Sequence, residues 1–254
     1  VNRIVITVPS GGGRAQFTGK LIELWADQVK KLPKLNELVK TITAEVSAKM
    51  DAKIGEALSP LNRRVARQPN QTSRVLDGPL PNLFCDEMKA VSQADFALHN
   101  TFGFRNDIGA GPINVGHIYQ VMPFENTLAV MELSGAQVIQ LLKQNFEGGV
   151  SRLQVSSELD LEIQEDEKGR FDLSSLKVNI LKHPIDLKQK YTVAMNSYMS
   201  GGGSCCQFLS TISHKDTAIP LRVLFMETIK KKTPVKAPPT GRMRAFLKVS
   251  TGVK

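Results

Sequence analysis

Three short segments of the 254-residue chain carry side chains suited to holding a flat, anionic ligand. Asn100-Thr-Phe-Gly-Phe-Arg105 puts an amide and a guanidinium five residues apart around a turn. Pro123-Phe124-Glu125-Asn126 and Asn196-Ser-Tyr198-Met-Ser-Gly201-Gly202-Gly203 each set an aromatic ring on a loop edge. Two aromatic faces can sandwich a base, asparagine can pair with ribose hydroxyls or a base edge, and arginine can neutralise phosphate. Spacing alone leaves an alternative open, because Phe124 and Tyr198 would serve equally well as core residues.

Other chemistries fit less well. Residues 10–20, Ser-Gly-Gly-Gly-Arg-Ala-Gln-Phe-Thr-Gly-Lys, follow a strand pattern as a phosphate loop would. Five residues separate Gly13 from Gly19 where that loop needs four, and Leu21 stands where a serine or threonine must hold magnesium. A turn between strands is the expectation. His99, His117, His183 and His214 are scattered, none at metal-site spacing from a second histidine or carboxylate. Asp86-Glu87 falls in a helix pattern and Glu165-Asp166-Glu167 in a turn, so neither offers an acid/base pair, and there is no Gly-x-Ser-x-Gly elbow. Cys85 and the vicinal Cys205-Cys206 make neither a disulfide framework nor a zinc-finger spacing. Asn70-Gln71-Thr72 matches a glycosylation acceptor, which matters only in a secreted eukaryotic chain.

The elements that must position these segments follow from periodicity. Residues 4–8 and 17–25 read as extended stretches joined by a Gly11-Gly12-Gly13 turn. Over 27–58 the pattern turns helical, with Leu35, Leu38, Val39, Ile42, Val46, Met50, Ile54 and Leu58 stepping by three or four along one face. Residues 63–81 have loop composition. Helices are then expected near 83–91, 135–146 behind a Ser134 cap, and 221–231; strands near 96–99, 127–133, 158–163, 176–181, 191–196 and 242–249. This interleaving predicts a mixed α/β fold with helices covering its sheets.

Composition sets outer bounds. With 41% hydrophobic residues the chain can bury a full core. No apolar run approaches bilayer length, so no membrane span is expected. A start at Val1-Asn2-Arg3-Ile4, without initiator methionine or signal-peptide core, suggests a chain cut from something longer. The net charge of +9 would attract any polyanion, but much of it sits in runs such as Lys230-Lys231-Lys232 and Arg63-Arg64, which read as solvated faces. A specific nucleic-acid partner is therefore not expected.

Taken in order, the three ligand-suited segments resemble the motifs of the 5'-nucleotidase C-terminal domain: an Asn-Gly-Gly-Gly-Ile-Arg loop, then Pro-Phe-x-Asn with a following Ser-Gly, then Asn-x-Tyr/Phe-x-x-x-Gly-Gly-Asp-Gly-Phe. Here they read Asn100–Arg105, Pro123–Asn126 with Ser134-Gly135, and Asn196–Cys206. Asn82-Leu-Phe-Cys-Asp86-Glu-Met88, Ala94-Asp95-Phe-Ala-Leu, Pro184-Ile-Asp186 before Tyr191, and Gly241-Arg242 extend the similarity over roughly 54–246. The resemblance implies a four-layer α/β/β/α fold over 61–254, a connector helix over 27–60, and the last strands of a metallophosphoesterase domain in 1–26. It implies that Phe124 and Tyr198 stack on a base, Asn100 bonds the nucleoside, Arg105 holds the phosphate or ribose side, and Gly202 and Gly203 are substrate-binding residues.

By the same resemblance, catalysis belongs to a metal-bearing domain outside these residues, on the same polypeptide or a partner chain. There two divalent metal ions would activate water against the phosphate. No catalytic residue, metal ligand or cofactor is expected in this chain itself, and a periplasmic or extracellular location is implied. The departures matter. Thr101-Phe102 replace two loop glycines, Ser204-Cys205-Cys206 replace Asp-Gly-Phe, and Leu76 stands where many members place a substrate-binding arginine. Each lost charge-assisted hydrogen bond removes roughly 1.5–3 kcal/mol of binding, and Phe102 would narrow the pocket. The leading expectation is recognition of a nucleotide or related phosphoester. A degenerate interaction module on the same fold is the alternative, and a basic nucleic-acid binder the third reading.

Overall fold

The computed structural model describes residues 2–11, 13–23, 25, 32–66, 72–204 and 206–248, and the chain divides into two compact units, Val1–Ala48 and Lys49–Lys254. The first contains the antiparallel hairpin β1 (Asn2–Thr7) and β2 (Gln16–Leu21), and most of helix α1 (Pro33–Met50). Pro33 suits a first helical turn, where its fixed φ is already helical and its missing N–H costs nothing. The apolar stripe of α1 is exposed, as are Ile4, Ile6, Phe17 and Leu21 of the hairpin, and α1 buries none of its side chains. Gly12 of the expected turn lies outside the described residues, as do residues 27–31.

The second unit begins with β3 (Lys53–Ala57), β4 (Ser73–Val75), α2 (Pro79–Ser92), β5 (Phe96–Asn100), β6 (Gly111–Asn114) and α3 (Val115–Val121). There follow β7 (Thr127–Ser134), α4 (Gly135–Phe146), β8 (Leu153–Val155), β9 (Leu159–Glu165), β10 (Phe171–Ile180) and β11 (His183–Pro184). The chain continues through β12 (Lys190–Asn196), α5 (Ser197–Ser200), β13 (His214–Pro220), α6 (Leu221–Lys232) and β14 (Met243–Leu247). One five-stranded sheet runs β13-β7-β12-β5-β8, a second runs β11-β10-β9-β14-β4, and β3 pairs with β6.

Strand alternation sorts the first sheet into two faces. Ala97, Leu128 and Ala194 point into a core filled by Leu80, Phe84 and Met88 of α2 and Phe225 and Ile229 of α6. Phe96, Leu98, Met131, Leu133, Val193 and Met195 point the other way. There they meet Leu161 and Ile163 of the second sheet and Val138, Leu141 and Phe146 of α4. The result is the expected mixed α/β fold, with two sheets sharing a core and helices packed in both cores.

Two expectations are corrected. The helix over 27–58 stops at Met50, and residues 53–57 form β3 within the compact unit Lys49–Lys254. Ile54 and Leu58 continue the helical spacing, but tertiary pairing wins. β3 gains a ladder with β6, Leu58 N–H donates to Val235 O, and a Cβ on Gly55 would lie 2.6 Å from Ile229. The loop expected over 63–81 contains β4 and the start of α2. Residues 67–71, including most of the glycosylation pattern, lie outside the described residues.

Candidate functional site

Four elements converge on one pocket. β5 ends at Asn100, whose side chain is buried, and a tight turn over Thr101–Gly103 follows. Phe104 plugs the core against Phe84 and His99, at ring-centroid separations of 5.7 and 4.5 Å, so that Arg105 emerges at the surface. Arg63 holds this loop from outside: its N–H and Nε donate to Asp107 Oδ1 at 2.7 and 3.1 Å, and its Nη1 to Phe104 O. That contact corrects the reading of Arg63 as part of a merely solvated run.

Phe124 and Asn126 sit on the loop from α3 to β7. Arg222 of α6 pins this loop, donating through Nε to Met122 O and through Nη2 to Pro123 O, both at 3.0 Å, while stacking on Tyr119 at 4.2 Å. Tyr198 rides on the single turn α5, capped by Asn196 Oδ1, which accepts from Met199 N–H at 2.8 Å. Asn196 also joins the two halves of the site, because its Nδ2 donates to Asn100 Oδ1 at 2.6 Å and lies 3.1 Å from His99 Nε2. His99 Nδ1 is 3.0 Å from Asn100 O, so the neutral tautomer protonated at Nδ1 satisfies both partners. Burial pushes the His99 pKa down to about 4, which keeps that ring neutral.

Asn100, Phe102, Arg105, Phe124, Asn126 and Tyr198 line a pocket of ≈ 280 Å³. The three rings are about half exposed, at 50% for Phe102, 46% for Phe124 and 50% for Tyr198, so these aromatics are not core residues. The Arg105 guanidinium lies 5.9 Å from the Phe124 ring centroid, within cation–π range. Four of the six expected site residues thus share one pocket. Gly202 and Gly203 do not line it. They shape the turn behind Tyr198: Gly202 has φ of +90°, and a Cβ on Gly203 would lie 2.4 Å from the tyrosine ring.

Phe102 enters the pocket wall, as its bulk implied, and Asn126 was quoted only as part of a motif. The supports Arg63, Arg222 and His99 carry no local sequence signal, since each acts on a distant segment. Leu76 lines a different cavity with Arg64 and Arg74. Ser204 N–H donates to the Tyr198 hydroxyl at 3.1 Å, Cys206 is buried, and Cys205 lies outside the described residues. Burial raises the Cys85 thiol pKa far above its ordinary range, so that cysteine is inert. Among the described residues no three His, Cys, Asp or Glu side chains group to hold a metal ion, and no helix is long and apolar enough to cross a membrane.

The family described as 5'-nucleotidase, C-terminal domain, matches residues 53–211. A cell wall protein of Listeria monocytogenes is 25% identical over 228 residues, covering 79% of this chain and 29% of the relative. An apyrase of Aedes aegypti is 29% identical over 172 residues, covering 63% of this chain and 30% of the relative. The crystal structure of a 5'-nucleotidase precursor from Thermus thermophilus superposes with a TM-score of 0.68 at 26% identity, covering 98% of this chain and 50% of that one. NAD nucleotidase of Haemophilus influenzae shares the fold at a TM-score of 0.64 and 19% identity, covering 96% of this chain and 48% of that one. The chain therefore spans about half the length of these solved structures and less than a third of either relative.

Proposed function

Because this chain belongs to the 5'-nucleotidase C-terminal domain family, we propose that it recognises the nucleoside part of a nucleotide or related phosphoester for a phosphohydrolase. The observation carrying this reading is the pocket in which half-exposed Phe102, Phe124 and Tyr198 surround Asn100, Asn126 and Arg105. A base stacks on the rings, the two amides offer donors and acceptors to its edge or to ribose, and Arg105 supplies positive charge. The residues of this chain bind and orient. Cleavage would be the work of a metallophosphoesterase domain with two divalent metal ions, for which residues 1–26 would supply closing strands and α1 the connection. An exported location, periplasmic or extracellular, accompanies this assignment.

Calorimetric titration with adenosine and AMP tests the reading. Saturable binding is expected, and Phe124→Ala and Tyr198→Ala should each weaken adenosine by about 1–3 kcal/mol, the usual worth of one base–aromatic stack. A second reading has its own support: Phe102 and Ser204 stand where the resemblance places glycine and aspartate, so the pocket could have lost nucleotide affinity while keeping the fold. A well-folded wild type that binds neither ligand would sink the first reading and leave the interaction module.

A further inference from the structure

The turn after β5 presents one side chain outward from between two fixed neighbours. Thr101 is buried, its N–H donating to Arg152 O at 2.7 Å and its hydroxyl accepting from Gln154 Nε2 at 3.2 Å. Gly103 is buried against His99, where a Cβ would lie 2.4 Å from the imidazole ring. Phe102 between them is half exposed. A phenylalanine held half in water forfeits much of the stabilisation its burial would give.

Phe124 and Tyr198 line the same pocket from two other loops, at similar exposure. None of the three rings makes a ring–ring contact among the described residues, whereas buried Phe84 touches both Phe104 and Phe225. Their supports keep them apart. Arg222 pins the loop of Phe124 at two carbonyls, Ser204 N–H holds the Tyr198 hydroxyl, and the locked turn fixes the backbone of Phe102. Three rings thus line ≈ 280 Å³ of space without closing it.

Two rings suffice to sandwich a flat group, so the third adds apolar area that a one-ring base does not need. The polar lining does not separate the base classes. Asn100 Oδ1 is taken by Asn196 Nδ2, while the Arg105 and Asn126 side chains form no hydrogen bond among the described residues. The free Asn126 amide offers one acceptor and a pair of donors, which complement the edges of purines and pyrimidines alike. Discrimination is left to the rings.

Resting on the reading of this pocket as a base site, we propose that Phe102 is its specificity-determining residue, the third ring selecting a two-ring purine over a one-ring pyrimidine. Fused rings present more stacking area, and the part beyond Phe124 and Tyr198 meets Phe102. Bulk at position 102 that only narrowed the pocket would act with the opposite sign on truncation.

Adenosine and uridine carry the same ribose and differ in the base. Both are titrated calorimetrically into the whole chain as wild type, Phe102→Ala and Phe102→Leu, with thermal melts to confirm folding. Wild type should bind adenosine about tenfold more tightly than uridine, and Phe102→Ala should weaken adenosine about tenfold while changing uridine less than about threefold. Phe102→Leu, apolar but not flat, should match the alanine variant. Equal wild-type affinities, a purine preference that survives in either variant, or tighter adenosine binding by Phe102→Ala would each overturn this role and leave the base pocket standing. A wild type that binds neither nucleoside overturns the base-site reading and this inference with it.

Discussion

His99 does not line the aromatic pocket, yet its protonation would reach the site. Its ring accepts from Asn196 Nδ2, the same group that donates to Asn100, so protonating Nε2 would break a bond connecting β5 to the turn bearing Tyr198. The folded-state pKa is lowered to about 4 by burial, against about 6.5 in an unfolded chain. The stabilisation from neutral His99 is therefore fully present above pH 6.5 and is lost as pH falls toward 4. Across that window the unfolded chain binds a proton that the folded one refuses, for a loss on the order of 3 kcal/mol. His99→Gln, which keeps an acceptor for Asn196 but does not titrate, should flatten the fall in urea midpoint between pH 6.5 and 4. Identical pH slopes in the two proteins would rule this role out.

At the scale of elements, local chemistry decides which boundaries can be read. Ser134 accepts from Gln137 N–H while the Gln137 side chain returns to Ser134 N–H, and this box starts α4 at the residue expected from sequence. Ser134→Ala should cost about 1 kcal/mol and lower the melting temperature by roughly 2–4 °C, measured by calorimetry. An unchanged melt would mean that packing alone sets that end. β3, β6 and β13 were not legible, because their residues are extended by partners far away in sequence. β3 even carries a helical apolar spacing, and β13 is an edge strand with a register shift and a terminal proline. The rings and charges of the site were legible because they lie in contiguous motifs. Arg63 and Arg222 were not, since an arginine in sequence does not reveal which loop carbonyl its guanidinium will meet.

For the molecule as a whole, the two units differ in what they bury. Lys49–Lys254 contains both cores, whereas the α1 stripe stays exposed, with Leu38 at 55% and Ile42 at 51%. Leu38→Glu and Ile42→Glu should leave the main urea transition of this chain within about 0.5 kcal/mol of wild type, because the side chains give up little burial. A shift several times larger would show that the stripe is packed in solution.

The placement of β14 has a further consequence for how such a chain is made. It lies inside its sheet, parallel to β9 on one side and antiparallel to β4 on the other. Buried Asp77, just ahead of α2, accepts N–H donors from Gly241 and Met243 at its threshold. Ribosomes emit roughly 5–20 residues per second, so β9 and β4 wait for several seconds with open edges before the strand that joins them exists. During synthesis this sheet stays incomplete until nearly the last residue described, which makes the nascent chain, more than the finished one, the form exposed to edge-to-edge pairing.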